Sequence, residues 1–307
     1  MDRELKLENI PGTTEFVSVA RLLLGAALLL IVPHAAAAEW FASVEAGLQH
    51  DNNLANAEMA ADILGDTALA AAVSAGQAYQ LSDSDSLVLQ GQLKQQNFNR
   101  FHGLNNLTLG ASLALKHKWG LGPYAPWLRL SGSIDRLDYR DAARDGWRHA
   151  IGMQICQRLS GQWELAAELG FDRRRADHSP ALFPPFSGAV FDQDSKTLGL
   201  NTSYVASDNL QFSLGYALRR GDLVSTTQSR LRKAFLVSKA IAEDDALGAD
   251  AYAYRLDGTT GMLQAGALIT IEPHLLLSFD YQRLVTHAAG DNNYAKSLSS
   301  VTLVYSF

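Results

Sequence analysis

Residues 147–173 read WRHAIGMQICQRLSGQWELAAELGFDR. Trp147, Ile151, Met153, Ile155 and Leu159 share one parity, and Arg148, Gly152, Gln154, Cys156 and Arg158 share the other. After Ser160-Gly161-Gln162 the alternation resumes, with Trp163, Leu165, Ala167, Leu169 and Phe171 opposed to Glu164, Ala166, Glu168, Gly170 and Asp172. Period two on both sides of a short polar connection predicts two antiparallel strands joined by a tight turn. A three-residue loop then fixes the register. Leu159 faces Trp163 on the apolar side, while Arg158 faces Glu164 and Gln154 faces Glu168 on the polar side, with Arg148 diagonal to Asp172. Opposite charges across such a pair contribute roughly 0.2–1 kcal/mol each.

The same reading extends along the chain. Leu107, Leu109, Ala111, Leu113 and Leu115 alternate with Thr108, Gly110, Ser112, Ala114, Lys116 and Lys118. A soluble sandwich also alternates, but its wet face is rich in Lys, Glu and Thr. Here the polar face is mostly Gly, Ser, Ala, Gln and Asn with scattered charges, which suits a confined aqueous interior. Strands are expected near 40–49, 67–81, 86–98, 107–118, 124–138, 147–159, 162–174, 196–205, 210–220, 251–271, 275–287 and 297–307. Short connections (82–85, 119–123, 160–161, 206–209, 272–274) alternate with longer ones near 50–66, 99–106, 139–146, 175–195, 221–250 and 288–296. Short turns on one rim and long loops on the other imply an all-β transmembrane barrel of antiparallel strands. The expected number is about twelve; ten or fourteen are also compatible, because the segment 250–262 is ambiguous. An even number places both termini on the periplasmic side. Trp119, Tyr124, Trp163, Tyr79 and Tyr305 fall near the short turns, and Trp147, Phe171, Tyr216 and Tyr281 nearer the long loops, as interfacial aromatic girdles would.

Residues 1–38 are expected to be an export signal and residues 39–307 the barrel domain. Leu22–Val32 is an apolar run preceded by Arg21 and followed by Pro33-His34 and the alanines 35–38. The run is too short for a bilayer-spanning helix, which takes about 20 residues. Cleavage after Ala38 removes Arg3, Lys6 and Arg21 together with Asp2, Glu4, Glu8 and Glu15, so the net charge of −6 becomes −5. An acidic chain lacks the basic face that a nucleic-acid partner requires. The single cysteine, Cys156, excludes an internal disulfide and a cysteine-cluster metal site.

The chain ends Val301-Thr302-Leu303-Val304-Tyr305-Ser306-Phe307. A terminal Phe with Tyr two residues earlier on an alternating strand resembles the C-terminal signal of Gram-negative outer-membrane β-barrels. That resemblance covers residues 39–307. It implies assembly by the barrel-assembly machinery through Tyr305 and Phe307, and an outer-membrane setting among lipid and lipopolysaccharide. Gly47-Leu48-Gln49-His50-Asp51-Asn52-Asn53 is similar to the entry hairpin of surface lipoprotein assembly modifier-type barrels. His50 replaces the usual aromatic and the helical repeat domain is lacking, so that function does not carry over.

Lys and Arg facing mid-bilayer lipid cost about 2–4 kcal/mol, so charged strand residues are expected to point inward. The expected pore lining is Lys94, Lys116, Lys118, Arg129, Arg148, Arg158, Glu164, Glu168, Asp172 and Arg219, with Glu45, Asp135, Arg174 and Asp280 on the same face. Basic residues concentrate on the third to sixth strands, which raises local anion concentration. Asp51-Asn52-Asn53 and Asp291-Asn292-Asn293 fall in loops that become neighbours if the first and last strands pair. Their oxygens suit Ca²⁺, but turn chemistry accounts for them, and neither metal nor cofactor is expected. His149 and His287 lie near the outer rim with outward parity, yet no Ser of matching parity and no Gly-x-Ser-x-Gly accompanies them, so a hydrolase is disfavoured. In the longest loop, basic residues (Arg230, Arg232, Lys233, Lys239) precede acidic ones (Glu243, Asp244, Asp245, Asp250). That order opposes a helix dipole and leaves a strand extension and a helix both open. Two functions fit: a narrow passive channel for small polar or anionic solutes, and a non-conducting structural or secretion-accessory barrel.

Overall fold

Alternation produces strands here because each outward side chain meets lipid and each inward one meets the interior, so only an extended backbone satisfies both faces. Within a membrane every backbone amide must also find a partner in the chain, which demands a sheet without edges. The computed structural model, which describes residues 38–179, 181–182, 186–228 and 232–307, meets that demand. The expected export segment lies outside these residues except for Ala38.

The strands are β1 (Ala38–Asp51), β2 (Asp66–Gln80), β3 (Asp85–Phe98), β4 (Asn106–Lys118), β5 (Trp127–Tyr139), β6 (Gly146–Arg158), β7 (Trp163–Ala176), β8 (Gln193–Ser207), β9 (Leu210–Thr227), β10 (Ala240–Glu243), β11 (Tyr252–Glu272), β12 (Leu275–Ala288) and β13 (Tyr294–Ser306). Each barrel strand pairs antiparallel with its neighbours. β1 closes on β13 with Val44 opposite Tyr305, and β9 pairs with β11 from Thr227–Tyr252 down to Leu210–Ile269. Twelve strands form the closed barrel, and β10 is an additional short strand along the upper end of β11. No helix among the described residues is long and apolar enough to cross a membrane.

The expected boundaries hold closely except around the longest loop. β9 continues to Thr227, so residues 222–227 pair with 252–257 and rise above β12, whose last partner is Gly258. A short helix α1 (Arg232–Val237) and β10 complete the excursion. Both alternatives open in the sequence, strand extension and helix, are therefore realised in succession. The extension forms because Leu223, Val224, Ala253, Tyr254 and Leu256 have apolar partners on both faces. Val190, Phe191, Ala240 and Ala242 pack against Ala253 and Val224, while Ala234 and Ile241 pack against Leu223, Tyr254 and Leu256.

The outer surface is a lipid-facing band. Leu109, Leu113, Ile151, Leu198, Leu214, Phe279 and Leu303 are all exposed, as outward parity requires. The girdle residues Trp119, Tyr124, Trp163, Tyr305, Trp147, Phe171, Tyr216 and Tyr281 are likewise exposed.

Candidate functional site: the lumen and its mouth

The register places the inward set where parity put it. Arg158 stands opposite Glu164 and Gln154 opposite Glu168, as the turn length dictates. Arg148 reaches diagonally to Asp172, Nε to Oδ2 at 2.5 Å, and stands directly opposite Asp135 on its other side. Arg158 and Glu164 are looser, 3.9 Å apart with both side chains substantially exposed. Arg148 is therefore tied across the wall to Asp172, and Asp135, opposite it, accepts a hydrogen bond from Gln92, whereas Arg158 is half-exposed.

Lys116 and Arg129 are directly opposite each other on β4 and β5, and both are exposed although both point inward. The Lys116 ammonium lies 4.5 Å from the Trp127 ring centroid, and Lys118 is opposite that same Trp127. Like charges directly opposite repel; here the Trp127 face takes up the Lys116 ammonium, and among the described residues neither cation is bonded to a carboxylate. Lys94 is higher on β3, opposite Thr108 and Ala72. Small inward residues leave space: Ser112, Gly152, Gly170 and Thr197 border cavities of about 440 Å³ and 370 Å³ that Arg129 also lines. The periplasmic half of the interior is thus roomy, with exposed cations on β4 and β5.

The extracellular end is built differently. The β1–β2 loop crosses the mouth to β9: the Asn56 side chain donates to the carbonyl of Val224, Ser225 Oγ donates to the carbonyl of Asn56, and Thr226 N donates to the carbonyl of Ala55. Ala55, Ala57, Leu104, Ala246 and Leu247 form an apolar cluster drawn from three separate loops. Beside it, Asp244 is 0 % exposed. It receives both carboxylate contacts of Arg144 Nη2 at 2.7 Å and a hydrogen bond from Thr226 Oγ1 at 2.6 Å. The Arg144 guanidinium also stacks 4.4 Å from the Phe191 ring centroid. Burial pushes the neighbouring Asp141 carboxyl above its usual range. Beneath this cap a cavity of about 320 Å³ is lined by Arg144, Arg174, Arg219, Tyr294 and Lys296.

Arg219 thus sits at the capped mouth, with Nη2 donating to the carbonyl of Asp222, well away from Lys116 and Arg129. Lys296 pairs with Asp51 at 2.8 Å. Beside that pair the first Asp-Asn-Asn segment meets β13, where Asn52 exchanges hydrogen bonds with Ser297. Asp51 Oδ1 accepts from Asn53 N, the turn chemistry expected, and no group of acids suited to a metal occurs among the described residues. Sequence reasoning missed Arg144 and Asp244, whose partnership spans two loops and leaves no periodic signal.

Not every strand charge points inward. Arg136, Arg173, Arg175, Lys196, Arg220 and Arg283 face outward by register. The expectation that lipid excludes such charges holds only at mid-depth, because the cost falls to about 0–1 kcal/mol near the interface. At the periplasmic rim Phe307 N donates to the carbonyl of Ala42, and its ring lies edge-on to Tyr305 at 5.0 Å between centroids.

A closed antiparallel barrel with a lipid-facing apolar band and a polar interior defines a multi-pass outer-membrane β-barrel protein. No protein-family model and no curated protein sequence matches the chain. Among solved structures, it is similar to an outer membrane channel from Pseudomonas putida F1 at TM-score 0.57 and 13% identity, covering 90% of this chain and 97% of that one. More distant likenesses include the outer membrane channel DcaP of Acinetobacter baumannii, at TM-score 0.44 and 9% identity over 90% and 99% of the two chains. The anion-selective porin from Comamonas acidovorans follows at TM-score 0.39 and 10% identity over 88% and 99%. The first likeness establishes a shared fold.

Proposed function

We propose that the protein is a narrow, non-enzymatic passive channel for small polar solutes, with a weak preference for anions. Its proposed lining is Lys94, Lys116, Lys118, Arg129, Arg148, Arg158, Glu164, Glu168, Asp172 and Arg219. The observation that carries the reading is the exposure of Lys116 and Arg129 inside a closed wall: charged side chains remain solvated within the barrel only if water fills it. The Pseudomonas putida F1 neighbour is described as an outer membrane channel, which supports the same class. Assembly proceeds in this reading through Tyr305 and Phe307 and the barrel-assembly machinery, and the finished barrel sits among lipopolysaccharide. In a planar bilayer under a salt gradient, replacing Lys116, Lys118 and Arg129 by Glu should reverse the sign of the reversal potential. Raising salt should blunt the preference, since the Debye length is about 10 Å at 0.1 M.

The cap over the mouth favours a second reading, a structural barrel that does not conduct. A wild-type barrel that is electrically silent, and stays silent after residues 228–248 are removed, would establish the second reading and reject the first.

A further inference from the structure

On the outer wall, neighbouring strands carry charges in register. One row holds two acids opposite each other, Asp222 on β9 and Asp257 on β11. The chain neutralises them itself: Lys239 Nζ reaches Asp222 at 2.7 Å and Asp257 at 2.6 Å, and those carboxylates hold its ammonium above the usual lysine range. On β7, Arg173 and Arg175 both bind Asp194, each at 2.8 Å. In both rows a counter-charge bridges the like charges; among the described residues one facing pair of cations has none.

That pair is Lys196 on β8, directly opposite Arg220 on β9. Both are exposed. Among the described residues neither has a carboxylate within 4.0 Å; the contact of Lys196 is with the Phe171 ring, 5.7 Å to its centroid. The nearby acids are already engaged, Asp194 by the two arginines and Asp257 by Lys239. Across β11 the row continues through Thr259 to His287, and His149 stands opposite Arg173 on the other side. Together they line an external groove of about 1180 Å³. Directly below lie Leu198 and Leu218, and Ile151 lies along the same row beyond Phe171; all three are strongly exposed to lipid. From Tyr204, opposite the periplasmic girdle residue Trp163, to Lys196, β8 climbs about 20 Å at ~3.3 Å per residue and ~40° of tilt. That height places the row at the upper edge of the apolar band.

The geometry points to an external binding site for the phosphorylated headgroup of an outer-leaflet glycolipid. Lys196 and Arg220 hold a phosphate, Arg173, His149 and His287 flank it, and the acyl chains lie along Ile151, Leu198 and Leu218. An anion between two facing cations replaces their repulsion with two attractions, as Lys239 does for the opposite sign one row away. The inference rests on the outer-membrane setting and is independent of whether the lumen conducts.

The test is native mass spectrometry of the full barrel in mild detergent, with bisphosphorylated lipid A as probe. The wild type should retain the lipid. Lys196→Gln with Arg220→Gln should weaken retention about thirtyfold, as loss of two cations beside an anionic leaflet implies. Dephosphorylated lipid A should bind as weakly to the wild type as intact lipid A does to the variant, and inorganic phosphate should not compete. Lys196→Arg should keep binding, and unchanged heat-modifiability of all variants would exclude misfolding. Conductance, if present, should be the same in wild type and variants. Equal retention by the double variant, equal binding of dephosphorylated lipid, or full competition by inorganic phosphate would each overturn the proposal.

Discussion

In the periplasmic half of the barrel Lys116 and Arg129 face each other with exposed side chains, whereas at the mouth Arg144 is fixed to a carboxylate that is fully buried. Lumen residues there are solvated one by one, separated by Gly and Ser, and depend little on their neighbours. Mouth residues come from five different connections and depend on one another, with buried pairs, aromatic faces and apolar clusters. One end of the barrel thus leaves its charges exposed in open space and the other buries them. The difference follows from chain topology: short periplasmic turns leave nothing to fold inward, while long extracellular loops reach across the opening.

The mouth should break first and hardest. Removing one partner of a buried ion pair costs about 3–5 kcal/mol, because the other charge is left uncompensated. Arg144→Ala should therefore loosen the cap by that amount while the barrel remains assembled and heat-modifiable. Limited proteolysis of protein in lipid vesicles should show new cleavage within residues 240–251. Arg144→Met combined with Asp244→Leu should recover much of the protection, since an apolar pair leaves no charge buried. Wild-type protection in Arg144→Ala would mean that the apolar clusters alone hold the cap.

A smaller disturbance comes from glycine positions. A Cβ on Gly103 would lie 2.6 Å from Ala246 Cα and 2.8 Å from Ala246 Cβ. Backbone cannot yield there as a flexible side chain would, so Gly103→Val should cost the cap about 1–3 kcal/mol, the usual range for overpacking. Gly161, in the periplasmic turn of the β6–β7 hairpin, has no atom within 4 Å of such a Cβ, and Gly161→Ala should leave proteolysis unchanged. Equal behaviour of the two variants would erase the contrast between the ends.

How much of this was legible follows the same division. Trp147–Arg173 alone gave the hairpin, its register and the Arg148–Asp172 diagonal, because parity and turn length are local properties. The barrel strands followed from the same alternation. What could not be read lies at the mouth. Residues 252–257 fall within the strand expected over 251–271, but their partner 222–227 reads as loop, and it becomes strand because Phe191, Ala240 and Ile241, distant in sequence, help cover the two faces. Arg144 and Asp244 are 100 residues apart, and nothing in either sequence context marks the pairing. Lys196 and Arg220 were visible as outward charges by parity, but the assumption that lipid-facing cations are excluded hid them.

The smallest effect belongs to the lumen pair predicted first. Arg158 and Glu164 face each other at 3.9 Å with side-chain exposures of 48% and 33%. Water screens such a pair, and exposed ion pairs contribute at most about 1 kcal/mol. A double-mutant cycle with Arg158→Gln and Glu164→Gln, read by urea unfolding in lipid vesicles, should give a coupling below about 0.5 kcal/mol. The same cycle on Arg144 and Asp244 should give several times more. A lumen coupling as large as that at the mouth would mean that Arg158 and Glu164 sit in a dry interior. Water would then not fill the periplasmic half, and the exposure of Lys116 and Arg129 could no longer support a conducting pore.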